Sequence, residues 1–237
     1  MLFPIKDDVP TLRKPRVTIA LIAINTLVFL YSWSLGVRGS QIFLFDFGYT
    51  PYLFFGADGQ YLLPSWIYLT PFTSMFLHGG WMHLIGNMLF LWIFGNNIED
   101  YFGPVKFVIF YLLSGLAAIA LYTLFNPSSQ VPLVGASGAI AGVMGAYMVL
   151  HPHARITCLF FFFLITFIVL PAKLVLGLWF FYQIIMSVLG STSGGGVAWL
   201  AHVGGFVFGW LILRLFLKIT GRGTTPTGGQ RVYRMNW

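Results

Sequence analysis

Long apolar stretches recur along this chain and leave few soluble folds open to it. Residues 17–36 contain no charged side chain, and across the 237 residues 58% are hydrophobic while only 8% are charged. About 20 apolar residues in a helix cross the roughly 30 Å hydrocarbon core of a bilayer. We therefore expect an all-α polytopic integral membrane protein.

Six segments are predicted to cross the bilayer as helices: residues 17–36, 81–98, 105–125, 135–150, 173–189 and 197–217. The first loop, residues 37–77, is long and aromatic and is expected to form a subdomain at the membrane interface. Residues 156–170 would cover only about 22 Å as a helix. We expect them to lie in the inner-leaflet interface without crossing.

The basic residues favour six spans over seven. With six, every Lys and Arg except Arg38 lies on one side, whereas a seventh span would move the basic C-terminal cluster to the other face. The prediction is a cytoplasmic segment at residues 1–16, a membrane domain at 17–217 and a basic cytoplasmic tail at 218–237, in the cell membrane. The net charge of +7 is thus attributed to topology, and no nucleic acid is expected as a partner.

The sequence gives no indication of a disulfide or of a metal site. Cys158 is the single cysteine, which excludes an internal disulfide and a site built from several cysteines. No His-Glu-x-x-His motif of a zinc protease is present. We expect neither a metal nor another cofactor.

Polar residues fall near the starts of the helices that enter from the outer side. Ser137 lies within the sequence Gly-Ala-Ser-Gly-Ala at residues 135–139, His202 lies near the start of the sixth helix, and His83 and Asn87 share one face of the second. At about 1.5 Å per residue these positions lie within roughly 3 to 9 Å of the outer boundary. Polar groups at membrane depth usually face a protein interior or a water-filled cavity. We expect them to converge.

Glycines at four-residue spacing offer a way to bring these helices together. Gly138 and Gly142 lie on the fourth helix, and Gly205 and Gly209 lie on the sixth. Small residues at this spacing allow two membrane helices to pack closely. A hydrogen bond between the serine and the histidine would need such an approach.

Serine becomes a good nucleophile only when a base accepts its proton, and histidine is suited to that task. No carboxylate is available to complete a triad, because all acidic residues fall in predicted loops or in a terminal segment. The prediction is therefore a Ser137/His202 dyad. Backbone N–H groups at the helix start beside Gly135, together with His83 and Asn87, would stabilise an oxyanion.

These motifs resemble the three signatures of the rhomboid intramembrane serine proteases. The matching pieces are the stretch at residues 135–139, His83-x-x-x-Asn87 preceded by His78, and Ala201-His202-x-x-Gly205-x-x-x-Gly209. The resemblance implies a six-helix serine protease with Ser137 as nucleophile, His202 as base, and His83 and Asn87 at the oxyanion. It also implies cleavage of membrane-anchored proteins near small, helix-destabilising residues, without a metal or cofactor.

Two features of some members of that family are missing here. The first loop contains no Trp-Arg pair, and Ala141 occupies the position of a tyrosine that packs on the catalytic histidine. The resemblance therefore leaves open which group supports His202.

Other functions remain as alternatives at this point. A catalytically inactive rhomboid-like protein could bind the transmembrane helices of clients. A transporter is disfavoured because the polar residues are confined to the outer half of the membrane. The glycine-rich residues 190–196 could form a cap over the site or a simple linker, and the oligomeric state stays open.

Overall fold

The computed structural model describes residues 2–55, 64–161, 165–189 and 198–221, and most of them are helical. The α-helices are α1 Arg16–Ser34, α2 Gly36–Phe47, α3 Pro51–Phe55, α4 Thr70–Thr73, α5 Trp81–Phe90, α6 Asn96–Phe102, α7 Pro104–Phe125, α8 Ser137–Leu150, α9 Ala172–Leu189 and α10 Trp199–Thr220. Short 3₁₀ helices flank α4 at Ser65–Leu69 and Ser74–Phe76. The expected cap at 190–196 and the tail beyond 221 lie outside the described residues.

Within the part of the chain that the structure describes, four helices are long and apolar enough to cross a membrane, namely α1, α7, α9 and α10. They identify the chain as an integral membrane protein. The predicted second span is one continuous helical run, but a π-helical turn at Leu91–Gly95 separates α5 from α6. The predicted fourth span is α8, which has only 14 residues and covers about 21 Å.

A three-stranded antiparallel sheet corrects the expectation of an all-α fold. Strands β1 Leu2–Asp7, β2 Arg155–Phe161 and β3 Ile165–Pro171 pair in the order β1-β2-β3. The described residues of the run at 156–170 therefore form two paired strands, β2 and β3. A short apolar run does not distinguish strand from helix by its periodicity, and β1 lies about 150 residues away along the chain. Local sequence reasoning could not find this pairing.

Helix α8 lies at the centre of the bundle and contacts α10 through the predicted glycines. A Cβ atom on Gly205 would clash with the carbonyl oxygen of Gly138, and one on Gly209 would clash with the carbonyl oxygen of Gly142. The two backbones therefore touch at two successive turns. This contact fixes the separation of the two helices.

The two acidic residues of α6, Glu99 and Asp100, are buried in the middle of the helix, where the sequence predicted a loop. Glu99 accepts hydrogen bonds from the backbone N–H groups of Val17 (2.9 Å) and Thr18 (2.7 Å), and from the Thr18 hydroxyl (2.8 Å). Asp100 accepts from the backbone N–H of Leu12 at 2.8 Å. The N–H groups of Val17 and Thr18 lie in the first turn of α1 and have no partner within the helix, whose dipole favours a negative charge there. The carboxylates thus anchor α1 to α6.

The extended segment at residues 133–135, which leads into α8, is hydrogen-bonded to the first loop. Tyr49 and Leu133 exchange backbone hydrogen bonds of 3.1 and 2.7 Å, and the N–H of Gly135 donates to the carbonyl of Ser74 at 2.9 Å. Two different parts of the first loop therefore fix the path of the backbone just before Ser137.

Candidate active site

Ser137 is the first residue of α8. The first backbone hydrogen bond of this helix runs from the N–H of Ile140 to the carbonyl of Ala136, at 3.0 Å. The N–H groups of residues 137 to 139 precede it and have no acceptor within the helix. Ser137 is partly accessible, whereas Ala136 and Gly138 on either side of it are buried. The hydroxyl therefore lies beside a cluster of backbone donors.

His202 lies one turn into α10 and reaches the serine directly. Its Nε2 lies 2.8 Å from the Ser137 Oγ, a hydrogen-bond distance. The glycine contacts between α8 and α10 hold the two side chains at this separation. The sequence predicted this pair but left its distance open.

A third polar side chain, Gln183 of α9, completes a chain of hydrogen bonds that sequence reasoning missed. Its Oε1 lies 2.7 Å from the Nδ1 of His202, and its side chain is 3% exposed. The indole of Trp179, one turn earlier, lies 5.8 Å from the imidazole at an interplanar angle of 34°. The groups that contact His202 from this side therefore come from α9. A polar amide within an apolar spanning helix was the signal available in the sequence.

Gly135 separates the serine from His83. Its φ is +125°, a conformation that side chains rarely adopt. A Cβ atom here would lie 2.7 Å from the Nε2 of His83 and 3.6 Å from the Ser137 Oγ. Because its own N–H is taken by Ser74, Gly135 contributes space to the site and no free donor.

His83 and Asn87 present donors on the same face of α5. The backbone N–H of Gly79 donates to the Nδ1 of His83 at 3.4 Å, so in the neutral ring the proton lies on Nε2, which faces Gly135. The Nδ2 amide of Asn87 is buried and has no hydrogen-bond partner among the described residues. A buried donor without a partner is costly, and here it lines the cleft that contains Ser137.

His78 packs behind His83 with their ring centroids 5.0 Å apart. Burial lowers the pKa of His78 to about 3, and repulsion from His83 adds to this effect. His78 is therefore neutral near pH 7. It is 2% exposed, which suits a residue that supports the loop before α5.

An open cavity of about 1210 Å³ gives access to these groups. Ser137, His202, His83 and Asn87 line it together with aromatic side chains, including Trp179 and Trp199. Within the described residues, no three His, Cys, Asp or Glu side chains come close enough together to hold a metal ion. The cavity is large enough for an extended peptide segment to contact the serine.

Comparison with known proteins identifies the family. The Rhomboid domain model matches residues 65–219, which is well over half of the chain and includes every polar residue of the cleft. The chain belongs to the rhomboid family. The matched region begins within the first loop and ends at α10, so it covers all the helices that build the site.

Several rhomboid proteins are similar to this chain. Rhomboid protein 1, mitochondrial, of Saccharomyces cerevisiae is 32% identical over 65% of this chain and 45% of its own length. The Rhomboid protease GluP of Bacillus subtilis is 37% identical over 40% of this chain and 18% of its own. RHOMBOID-like protein 6, mitochondrial, of Arabidopsis thaliana is 43% identical over 32% and 24%. The chain thus matches less than half the length of each of these rhomboid relatives.

Proposed function

We propose that this rhomboid protein is an intramembrane serine endopeptidase that cleaves membrane-anchored proteins near the outer leaflet. Ser137 is the nucleophile and His202 is the base in this proposal. The observation that carries it is the 2.8 Å separation of Ser137 Oγ and His202 Nε2 inside an open cleft. A buried serine that only packs would need neither a histidine at that distance nor access to a cavity.

The proposed membrane arrangement has six spans. They are α1, the run from α5 through α6, α7, α8, α9 and α10. An even number places both ends on the same side of the cell membrane, and the basic residues of both ends favour the cytoplasmic side. Residues 1–16 and 218–237 then flank a membrane domain at 17–217. Because α8 covers only about 21 Å of a roughly 30 Å core, its start at Ser137 is recessed below the outer surface. A substrate helix would have to unwind locally to reach it.

The proposed reaction follows acyl-transfer chemistry. His202 Nε2 accepts the proton of the Ser137 hydroxyl while Oγ attacks the carbonyl carbon of the scissile peptide bond. The carbon–nitrogen bond then breaks, and His202 returns the proton to the departing amine. Water, deprotonated by His202, next attacks the carbonyl carbon of the acyl-enzyme. The bond from that carbon to Ser137 Oγ breaks and His202 returns the proton to Oγ, so the products are a carboxylate and an amine.

Negative charge on the carbonyl oxygen needs donors that are already in place. The free backbone N–H groups at the start of α8, the Nε2–H of His83 and the Nδ2 amide of Asn87 are suited to this role. One such donor typically contributes about 3 kcal/mol to the transition state. The unpartnered amide of Asn87 would gain its partner only when the oxyanion forms.

The test combines a serine-directed fluorophosphonate probe with cleavage of a generic single-span protein in liposomes. The wild type should be labelled and should cleave the substrate, whereas Ser137→Ala should do neither and His202→Ala should lose cleavage. Ser32→Ala is a matched control, because Ser32 is a buried serine of α1 whose hydroxyl contacts Ser40 and, among the described residues, no histidine. It should behave as the wild type.

Two results would contradict the proposal. Labelling and cleavage that persist in Ser137→Ala would place the nucleophile elsewhere. A wild type that binds the single-span protein but never cuts it, with Ser137→Ala binding equally well, would favour a client-binding rhomboid protein without catalysis.

A further inference from the structure

Gln183 lies in line with the two residues of the proposed dyad. Its amide is nearly fully buried in α9, and its Oε1 lies 2.7 Å from His202 Nδ1, while the opposite ring nitrogen of His202 contacts Ser137. Three side chains from α8, α9 and α10 therefore form one continuous path of hydrogen bonds. Gln183, at the end of this path away from Ser137, carries no charge.

The direction of this path follows from the groups at its end. The Nε2 of Gln183 donates to the backbone carbonyl of Trp179 at 3.4 Å, and a carbonyl can only accept. The amide oxygen must then face His202, so His202 Nδ1 must carry the proton. In a neutral imidazole this leaves the lone pair on Nε2, directed at the Ser137 hydroxyl. That tautomer is the one a general base requires.

We infer that Gln183 is a positioning residue that holds His202 as the Nδ1–H tautomer with Nε2 facing Ser137. It does the orienting task that a carboxylate does in a triad, but without placing a charge in the membrane, where a buried carboxylate is expensive. This inference rests on the proposed protease function. It concerns the support of the base, and Gln183 itself touches no reacting atom.

The surroundings of the imidazole agree with this role. Trp179 lies along one face of the ring, and Trp199 meets the ring nearly perpendicularly, at a centroid distance of 6.3 Å and an angle of 89°. Aromatic neighbours restrict where the ring can move but cannot select which nitrogen carries the proton. Among the hydrogen bonds of His202 in the described residues, the one to Gln183 supplies that selection.

The experiment compares Gln183→Leu and Gln183→Glu with the wild type in detergent. Nitrogen-15 NMR of labelled histidine identifies the protonated ring nitrogen of His202, assigned by its loss in His202→Ala, and this readout requires no cleavage activity. Steady-state cleavage separates kcat from KM across pH. Asn25→Leu is the matched control, because Asn25 is a buried amide of α1 whose hydrogen bond, among the described residues, goes to the Leu21 carbonyl of its own helix.

We expect Gln183→Leu to shift His202 toward the Nε2–H tautomer and to lower kcat by roughly 10- to 100-fold, as loss of an orienting partner does at other sites. KM should not change. Gln183→Glu should restore the Nδ1–H tautomer and most of kcat at alkaline pH. Its acid limb should move to higher pH, because a carboxylate stabilises the imidazolium. Asn25→Leu should match the wild type in both readouts.

The inference is overturned if Gln183→Leu keeps the wild-type tautomer and kcat, or if Gln183→Glu restores neither. Thermal unfolding shows whether Gln183→Leu is folded. If that variant does not fold, the data for Gln183→Glu decide. If the wild type itself neither cleaves nor reacts with a fluorophosphonate, the protease proposal fails. The tautomer data would then still decide whether Gln183 orients the ring.

Discussion

Replacing Gly209 with alanine should separate α8 from α10 and impair the site two helical turns away. A Cβ atom on Gly209 would lie 2.6 Å from the carbonyl carbon of Gly142 and 2.8 Å from its Cα, and closer still to its oxygen. Carbon atoms in favourable contact are about 3.5 to 4.0 Å apart. The helices must therefore move apart by roughly 1 Å, because backbone atoms cannot rotate away as a side chain can.

Gly209→Ala has two opposing effects on the free energy of unfolding. Overpacking a dense contact typically costs about 1 to 3 kcal/mol, while alanine in place of glycine stabilises a helix interior by about 1 kcal/mol. Gly177→Ala on α9 isolates the second effect, since a Cβ atom there meets nothing within 4 Å. The free energy of unfolding should therefore be lower in Gly209→Ala than in Gly177→Ala by about 1 to 3 kcal/mol.

In Gly209→Ala the loss of kcat/KM should be larger than the loss of folding stability alone would produce. His202 lies about 10 Å along α10 from Gly209, and a shift of about 1 Å in a reacting group can cost about 100-fold in rate. Thermal unfolding and kcat/KM for a single-span substrate measure the two effects on the same detergent preparation. If Gly209→Ala unfolds at the same temperature as Gly177→Ala and cleaves as fast as the wild type, the glycine contact does not set the geometry of the site.

Three further outcomes are expected. Asn87→Ala should lower kcat about 100-fold with little change in unfolding temperature, because the lost donor acts in the transition state. Glu99→Gln should lower the free energy of unfolding by roughly 1 to 3 kcal/mol, since an N–H of α1 then faces an amide donor. Burial lowers the pKa of His151 to about 4, so stability measured by thermal unfolding should fall as pH drops from about 6.5 toward 4, when only the unfolded state gains the proton. His151→Gln should reduce that slope.

The sequence was informative where a feature depended on local pattern. Apolar length predicted the helices, and the membrane depth of polar groups pointed to Ser137, His202, His83 and Asn87 as one cluster, which the structure brings to one cleft. Spacing of four residues marked the glycine contact of α8 with α10. Apolar length, the depth of a polar residue and the spacing of glycines are each properties of one helix, so the sequence of that helix is enough to find them.

The features that escaped depend on partners distant in sequence. The sheet forms only when β1 pairs with β2. Burial of Glu99 requires the N–H donors at the start of α1, 81 residues away. Gln183 gave a signal of its own as an amide in an apolar helix, but its partner could be identified only when α9 was placed beside α10. Long-range pairing of this kind has no periodicity that a sequence pattern could reveal.

The pairing of β1 has a consequence for the order of assembly during synthesis. Asp7 at the end of β1 accepts hydrogen bonds from Tyr147, 140 residues later, at 2.6 Å and from Asn97 at 2.8 Å, and β2 follows Tyr147 in the chain. At about 5 to 20 residues per second, translation from the end of β1 to the start of β2 takes roughly 7 to 30 seconds. Strand β1 is thus made early but can pair in the sheet only after α1, α7 and α8 have been synthesised.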